Sequence, residues 1–276
     1  FLSYLPRNVW HVPPVGPCDD DPLRADAELN QAIPENRRKA YRIRDILARI
    51  LDHGSLFEMS RQFGGSTLTA FARLAGYPVG VMANDPLVMG GAMTHQAAQK
   101  IERFVDLCDT FHLPIVNFAD QPGLMIGPEA EAAGTVPLAY RAAGAIEQAA
   151  VPWVSIVMRR AFGVGGGLHG PKYGVDGQSL NHRFAWPSAQ WGSIPIEGGV
   201  AAAYRRDIEA AAGPLRRREE LEARYRKLAS PFRTAEKFGI VDIIEPAETR
   251  AVLCDWVEDA YEVVRTQLGP RARPMR

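Results

Sequence analysis

The sequence predicts an α/β domain with parallel-sheet character, and three observations support this prediction. Two runs, LPIVNFAD at 113–120 and VPWVSIVMRRAF at 151–162, are almost continuously apolar, which is typical of strands buried on both faces. A segment at 93–112 repeats its apolar residues at the helical period. Strands that alternate with helices in this way favour a parallel sheet covered by helices.

The remaining elements follow along the chain. Residues 1–34 are rich in proline and acidic side chains, which predicts an arm or inter-domain connector, with a disordered tail as the alternative. The globular domain is predicted to span 35–276. Within it we expect a helix in 34–54, strands at 55–60, 66–76, 77–85 and 183–189, and helices at 128–150 (interrupted near Gly134), after Gly198-Gly199, at 217–230 and at 249–267.

The composition excludes several classes of protein. The 32 basic and 32 acidic residues balance, so no basic excess favours binding to nucleic acid or to an anionic membrane. The apolar runs are too short to span a membrane. Three widely spaced cysteines argue against a disulfide framework or a zinc site and favour a reducing cytoplasm. Because the first residue is Phe1, we expect a processed chain or part of a longer protein.

A glycine run, AFGVGGGLHG at 161–170, directly follows a predicted buried strand. A dinucleotide fingerprint would need its third glycine at Leu168, and a P-loop would need lysine where Pro171 stands. Two interpretations remain open. The backbone amides of this loop bind a developing oxyanion, or the glycines only allow tight packing.

A second loop, VMANDPLVMGGAM at 81–93, leaves a strand, reaches Gly90-Gly91 and enters the long helix, where backbone amides are good anion donors. Two amide-presenting loops after two strands of one sheet are the arrangement expected of an oxyanion hole. Among single side chains, Asp120 is interpreted as a turn or cap residue. His169, beside the glycine run, is a candidate whose role stays open.

Several segments together resemble the C-terminal half of the β-type carboxyltransferase subunits of biotin-dependent acyl-CoA carboxylases, the family of the acetyl-, propionyl- and methylcrotonyl-CoA enzymes. The segments are VMANDP…GGAM, RFVDLCDTFHLPIVNFADQPGLMIG, AIEQAAVPWVSIVMRRAFGVGGG, RFAWPSAQ and SPFRTAEKFGIVDIIEPAETR. Their order and spacing hold from about residue 35 to 265. The resemblance implies a crotonase-like ββα superhelix fold, and it implies that the Pro-rich start is the connector between two halves.

The resemblance also implies a function, namely carboxyl transfer from carboxybiotin to an acyl-CoA. The amides of Val164 and Gly165, with Gly166 adjacent, would hold the ureido oxygen of biotin. The binding site for biotin and substrate would be lined by Gly90, Gly91, Pro122, Gly123, Gly163 and Gly167. No metal is expected. The implied partners are a biotin carboxylase and biotin-carrier subunit and the N-terminal carboxyltransferase half, in a hexamer. The cofactor would supply the acid–base chemistry.

Alternatives within and outside this family stay open. A biotin-dependent decarboxylase or transcarboxylase would use the same residues. A crotonase-type hydratase or isomerase needs a glutamate beside the glycine loop, and LHGPKYG at 168–174 contains none. A non-catalytic assembly domain is the fourth possibility. Better-known family members carry bulkier or acidic residues at the positions of Gly166 and Gly167, so we expect space here for a larger acyl group.

Overall fold

The computed structural model describes residues 1–37, 39–169, 180–193 and 195–273. Within this part of the chain, eight strands form one mixed sheet in the order β1-β2-β3-β4-β5-β6-β8, and β7 pairs with β5 beside β6. The strands are β1 (Phe57–Met59), β2 (Thr67–Leu74), β3 (Tyr77–Asn84), β4 (Ile115–Gln121), β5 (Trp153–Phe162), β6 (Asn181–Ala185), β7 (Gln190–Gly192) and β8 (Asp242–Ile243).

Helices connect and cover these strands. They are α1 (Ile43–Ile50), α2 (His95–Thr110), α3 (Pro128–Ala132), α4 (Thr135–Gln148), α5 (Gly163–Gly167), α6 (Ile196–Ala203), α7 (Arg205–Ala210), α8 (Pro214–Leu228), α9 (Pro231–Ala235) and α10 (Thr249–Thr266). None of the helices in the described ranges is both long enough and apolar enough to cross a membrane.

The sheet changes direction once. Strands β1, β2 and β3 pair antiparallel, and β3 turns back on β2 through Ala75 and Gly76, which both have positive φ. From β3 onward each pairing is parallel. The long β5 pairs with β6 along its first half and with β7 along its last three residues. The carboxyl ends of β3, β4 and β5 therefore meet at one edge of the sheet.

Alternation along the strands builds a hydrophobic core on each face of the sheet. On β3, Val81 packs into a cluster that contains residues of α1 and α10, whereas Met82 packs with residues of α2 and α4. Successive strand side chains point to opposite faces, so a strand buried on both sides must be apolar throughout. This explains the continuous apolar runs of β4 and β5.

The N-terminal residues lie against the domain. The Phe1 ring stacks on that of Phe71 at 5.6 Å, and Leu29 is buried. Arg250, which is 1% exposed, donates to the Asp52 carboxylate at 2.9 Å and to the Asp20 carbonyl. The division of the chain at residue 34 stays a prediction.

Several elements differ from the prediction. Helix α1 begins only at Ile43. The carbonyls of Arg37 and Lys39, within the predicted helix, accept hydrogen bonds from Arg159 at 3.3 and 2.8 Å. The short strands β7 and β8 were not predicted, because strands of two or three residues are too short to show an alternating hydrophobic pattern. Helix α4 is separated from α3 at Gly134, which has φ 71°. This confirms the predicted interruption.

Candidate functional site

Three loops follow β3, β4 and β5 at the same edge of the sheet, and they touch one another. The backbone N–H of Met93, after the first loop, donates to the Gly123 carbonyl at 3.0 Å, and the Met125 N–H donates back to Met93 at 2.9 Å. A Cβ on Gly91 would lie 3.1 Å from the Asp120 carbonyl oxygen, and a Cβ on Gly165 would lie 3.2 Å from the Gly123 carbonyl carbon. The structure thus brings together the predicted positions at 90–91, 122–123 and 163–167.

The glycine run forms α5, a single helical turn. It opens at Gly163, whose φ of 63° favours glycine. At Gly166 the φ is ordinary, but a Cβ would lie 2.3 Å from the Ala161 carbonyl carbon, so no side chain fits. Gly167 faces open space. At Gly166 the Ala161 backbone therefore leaves no free space, whereas Gly167 borders open space, and the room expected for a larger acyl group stays a prediction.

The first turn of a helix leaves its backbone donors without intrahelical partners. In α5 these are the N–H groups of Gly163, Val164 and Gly165, because for each of them the carbonyl four residues earlier precedes the N-cap residue Phe162. Gly166 is the first position whose N–H can close a helical bond, to Phe162. Val164 is 55% exposed, whereas Gly165 is buried. The role of Val164 and Gly165 as donors stays a prediction, whereas Gly166 is required for close packing.

The loop at Gly90-Gly91 is built differently. Its glycines have φ of 64° and 82°, and the Gly91 N–H already donates to the Val88 carbonyl at 2.9 Å. The carbonyl of Gly90 accepts from Arg160 Nη2 at 2.8 Å. This loop thus offers a carbonyl oxygen to a cation, and its Gly91 amide is engaged within the turn.

A buried cluster of charges lies beneath the loops. Asp120, which is 0% exposed, accepts hydrogen bonds from Arg159 Nη2 at 2.7 Å, from Arg160 Nε at 2.6 Å and from the Tyr41 hydroxyl at 3.0 Å. Burial by itself would raise the pKa of Asp120, but Arg160 and Arg159 hold that pKa below its usual value. The interpretation of Asp120 as a turn or cap residue was wrong. It is an ion-pair centre at the end of β4.

His169 anchors the far end of the glycine turn. Its backbone N–H donates to the Gly166 carbonyl at 3.1 Å, and its Nδ1 lies 2.7 Å from Nδ2 of Asn117 on β4. The Asn117 amide also donates to the Ser155 hydroxyl at 3.2 Å. Burial, followed by the charge of Arg183, lowers the pKa of His169 to about 4. His169 is therefore neutral at physiological pH and acts as a packing and hydrogen-bonding residue.

The sequence did not single out Arg159, Arg160, Asn117 or Gln121. Gln121 accepts from the Gly123 N–H through Oε1 at 3.0 Å and packs beside Gly165, so it braces the contact between the second and third loops. One signal was available, because two adjacent arginines interrupt the otherwise apolar VPWVSIVMRRAF. Charged residues at the end of a buried strand require a buried partner. No group of metal-ligating side chains occurs among the described residues.

Comparison with known proteins identifies a family and several relatives of this chain. The model of the carboxyl transferase domain matches residues 1–273. The chain is 36% identical over 251 residues to the propionyl-CoA carboxylase carboxyltransferase subunit of Haloferax mediterranei, covering 91% of this chain and 48% of that protein. It is 33% identical over 257 residues to the biotin-dependent long chain acyl-coenzyme A carboxylase beta4 subunit of Mycobacterium tuberculosis, covering 92% and 48%.

A solved structure agrees with the sequence comparisons. One chain of the transcarboxylase 12S structure, a hexamer with methylmalonyl-coenzyme A bound, superimposes on this chain with a TM-score of 0.83 at 30% identity. The match covers 100% of this chain and 51% of the transcarboxylase chain. This confirms the predicted crotonase-like α/β fold. The chain spans about half the length of the relatives it matches. With the family match over almost all of its residues, the chain belongs to the carboxyl transferase domain family.

Proposed function

We propose that this chain is the biotin-side half of a carboxyltransferase that moves a carboxyl group from carboxybiotin to an acyl-CoA. The observation that carries the proposal is the position of the glycine turn α5 after β5, at the carboxyl edge of the sheet, because the N–H groups of Val164 and Gly165 fall in the first turn of this helix. The names of the relatives support the same chemistry, since they include acyl-CoA carboxylase subunits and a transcarboxylase with a CoA ester bound.

The donor set fits the proposed cofactor. Biotin, when bound, supplies the carboxyl group and a ring nitrogen that takes up a proton. The chain itself holds the oxygen on which negative charge develops, and two neutral N–H donors do this without introducing a competing acid. Gly165 lies so close to Gly123 and to the Gln121 side chain that a Cβ at this position would be 3.2 Å from the first and 3.3 Å from the second. Close packing of the turn supports the proposal, because electrostatic stabilisation depends on donors that are already in position.

Other parts of the active site belong to partners in this proposal. The chain matches about half of each relative. In this proposal, the acyl-CoA site lies largely on an N-terminal carboxyltransferase half. Carboxybiotin arrives on a biotin-carrier subunit that is charged by a biotin carboxylase. A hexamer is the proposed assembly, as in the transcarboxylase 12S structure. A transcarboxylase, which takes the carboxyl group from a second thioester, is the alternative that this relative favours.

The test removes one donor amide. In the complete carboxyltransferase that contains this chain, Val164→Pro deletes an N–H in the first turn of α5, which has no partner within the helix. Release of CO2 from carboxybiotin is expected to fall by roughly 10²–10³. Val164→Ala keeps the amide and is the matched control, expected within a few-fold of wild type. Both variants are first checked for an unchanged melting temperature.

An unchanged rate in a folded Val164→Pro protein would show that the turn serves packing alone. The biotin site would then be sought at the Gly90-Gly91 loop.

A further inference from the structure

A chain of buried polar side chains leads to the glycine turn α5. On β4, Asn117 is paired in register with Ser155 of β5, and its Nδ2 donates to the Ser155 hydroxyl oxygen at 3.2 Å. The Trp153 indole N–H donates to the same oxygen at 3.1 Å. Asn117 Nδ2 also lies 2.7 Å from Nδ1 of His169, which follows the turn. All four residues are at most 4% exposed, so little water competes for these hydrogen bonds.

The glycine turn has few side chains of its own to hold it. Of the residues between Phe162 and His169, all but two are glycines. Those two are Val164, which is 55% exposed, and Leu168, which is half-buried. The first fully buried side chain after Phe162 is therefore that of His169, whose backbone N–H donates to the Gly166 carbonyl at 3.1 Å. Because glycine has the greatest conformational freedom of any residue, the position of this turn depends on what holds its ends.

The imidazole of His169 is held through one of its nitrogens. Because Asn117 Nδ2 is a donor, His169 Nδ1 accepts the hydrogen bond and the ring hydrogen of the neutral imidazole lies on Nε2. Among the residues that the structure describes, Nε2 has no hydrogen-bond partner. Asn117 is therefore the side chain that orients the imidazole, and it links β4 to the carbonyl end of the turn.

We propose that Asn117 is a positioning residue for the transfer reaction, because through His169 it sets where the first amides of α5 lie. This inference rests on the proposed function, in which the N–H groups of Val164 and Gly165 hold the developing oxyanion. Asn117 is 0% exposed, so it acts through His169 and not by contact with a ligand. Its influence on the rate is expected to be large, since catalytic donors must be held to within about 0.5 Å of the productive geometry.

The experiment removes the hydrogen bond between Asn117 and His169 in the complete carboxyltransferase that contains this chain. Asn117→Leu keeps the bulk of the side chain, and we expect release of CO2 from carboxybiotin to fall by roughly 10–10²-fold. Thr249→Val is the matched control, because it also removes a buried hydrogen bond, which the Thr249 hydroxyl accepts from the Trp186 indole at 2.9 Å at the start of α10. Its rate is expected to stay within a few-fold of wild type.

Rescue by a conservative variant separates positioning from a loss of stability. His169→Phe breaks the same hydrogen bond and should lower the rate by a similar factor, and combining it with Asn117→Leu should cost no more than either change alone. His169→Asn restores an acceptor oxygen as many bonds from the backbone as Nδ1, and is expected within a few-fold of wild type. If Asn117→Leu does not fold, the comparison of His169→Phe with His169→Asn decides the question.

Hydrogen–deuterium exchange of a peptide that covers residues 163–168 follows the turn independently of activity. We expect faster exchange in Asn117→Leu or His169→Phe, but not in Thr249→Val, together with the loss of rate. A rate no lower than that of Thr249→Val with unchanged exchange would overturn the inference, as would a failure of His169→Asn to restore the rate. Faster exchange with a normal rate would leave Asn117 as the residue that positions the turn and would overturn the proposed role of the turn amides.

Discussion

The two glycine loops at the site edge look alike in sequence, but Gly90 in the first and Gly166 in the second are glycine for different physical reasons. At Gly90 and Gly91 the backbone has positive φ, which glycine adopts without steric cost. At Gly166 the φ is ordinary, and glycine is required because the Ala161 backbone occupies the position of a Cβ. The Gly91 amide closes the first loop by donating to the Val88 carbonyl, whereas the first amides of α5 precede its first intrahelical hydrogen bond. The first loop therefore needs glycine for its backbone conformation, and the second needs glycine at position 166 for close packing.

The largest effect that tests this comparison is expected from Gly166→Ala. A methyl group 2.3 Å from the Ala161 carbonyl carbon must displace the turn, and we expect a loss of about 3 kcal/mol or more in the free energy of unfolding. Gly167→Ala, on the same turn but facing open space, is the matched control and is expected to be neutral or slightly stabilising. Urea denaturation of both variants measures the difference. Equal stabilities would mean that the turn is not packed as described.

The anchor of the glycine turn predicts an effect of pH. The folded-state pKa of His169, about 4, lies below the unfolded value of about 6.5. The unfolded chain therefore binds more protons between these values, and stability falls as the pH falls through that window. From pH 7 to pH 5 we expect a loss of about 2 kcal/mol that His169→Gln does not show. Unfolding free energies of both proteins at the two pH values test this.

If the pH dependence is the same in both proteins, His169 is not the titrating group, and the turn is held by its backbone contacts alone.

The smallest effect is expected at the other loop. Gly90 has φ 64° but no atom within 4 Å of an added Cβ, so Gly90→Ala carries only the conformational cost of a left-handed residue, about 1 kcal/mol. Thermal denaturation measures it. A loss as large as that of Gly166→Ala would show that both loops depend on packing and would remove the distinction between them.

Much of the fold could be predicted because its signals are local. The apolar runs of β4 and β5 and the periodic face of α2 specify buried strands and a covering helix wherever they occur. The break at Gly134 was predicted for the same reason, because glycine weakens a helix in any surroundings. The shortened α1 was not predicted, because the Arg159 guanidinium that binds the Arg37 and Lys39 carbonyls comes from 120 residues away along the chain.

By itself, the sequence determined the α/β class, the two glycine loops and the absence of a side-chain acid beside the glycine run, since these depend on residue type and spacing. Only the tertiary structure decided which glycines are required by close packing and which by backbone conformation, and that Asp120 pairs with two arginines at the end of β4. The physical reason is distance. Steric exclusion and ion pairing act over a few ångströms between residues far apart in the chain, and only the folded sheet brings the ends of β3, β4 and β5 together.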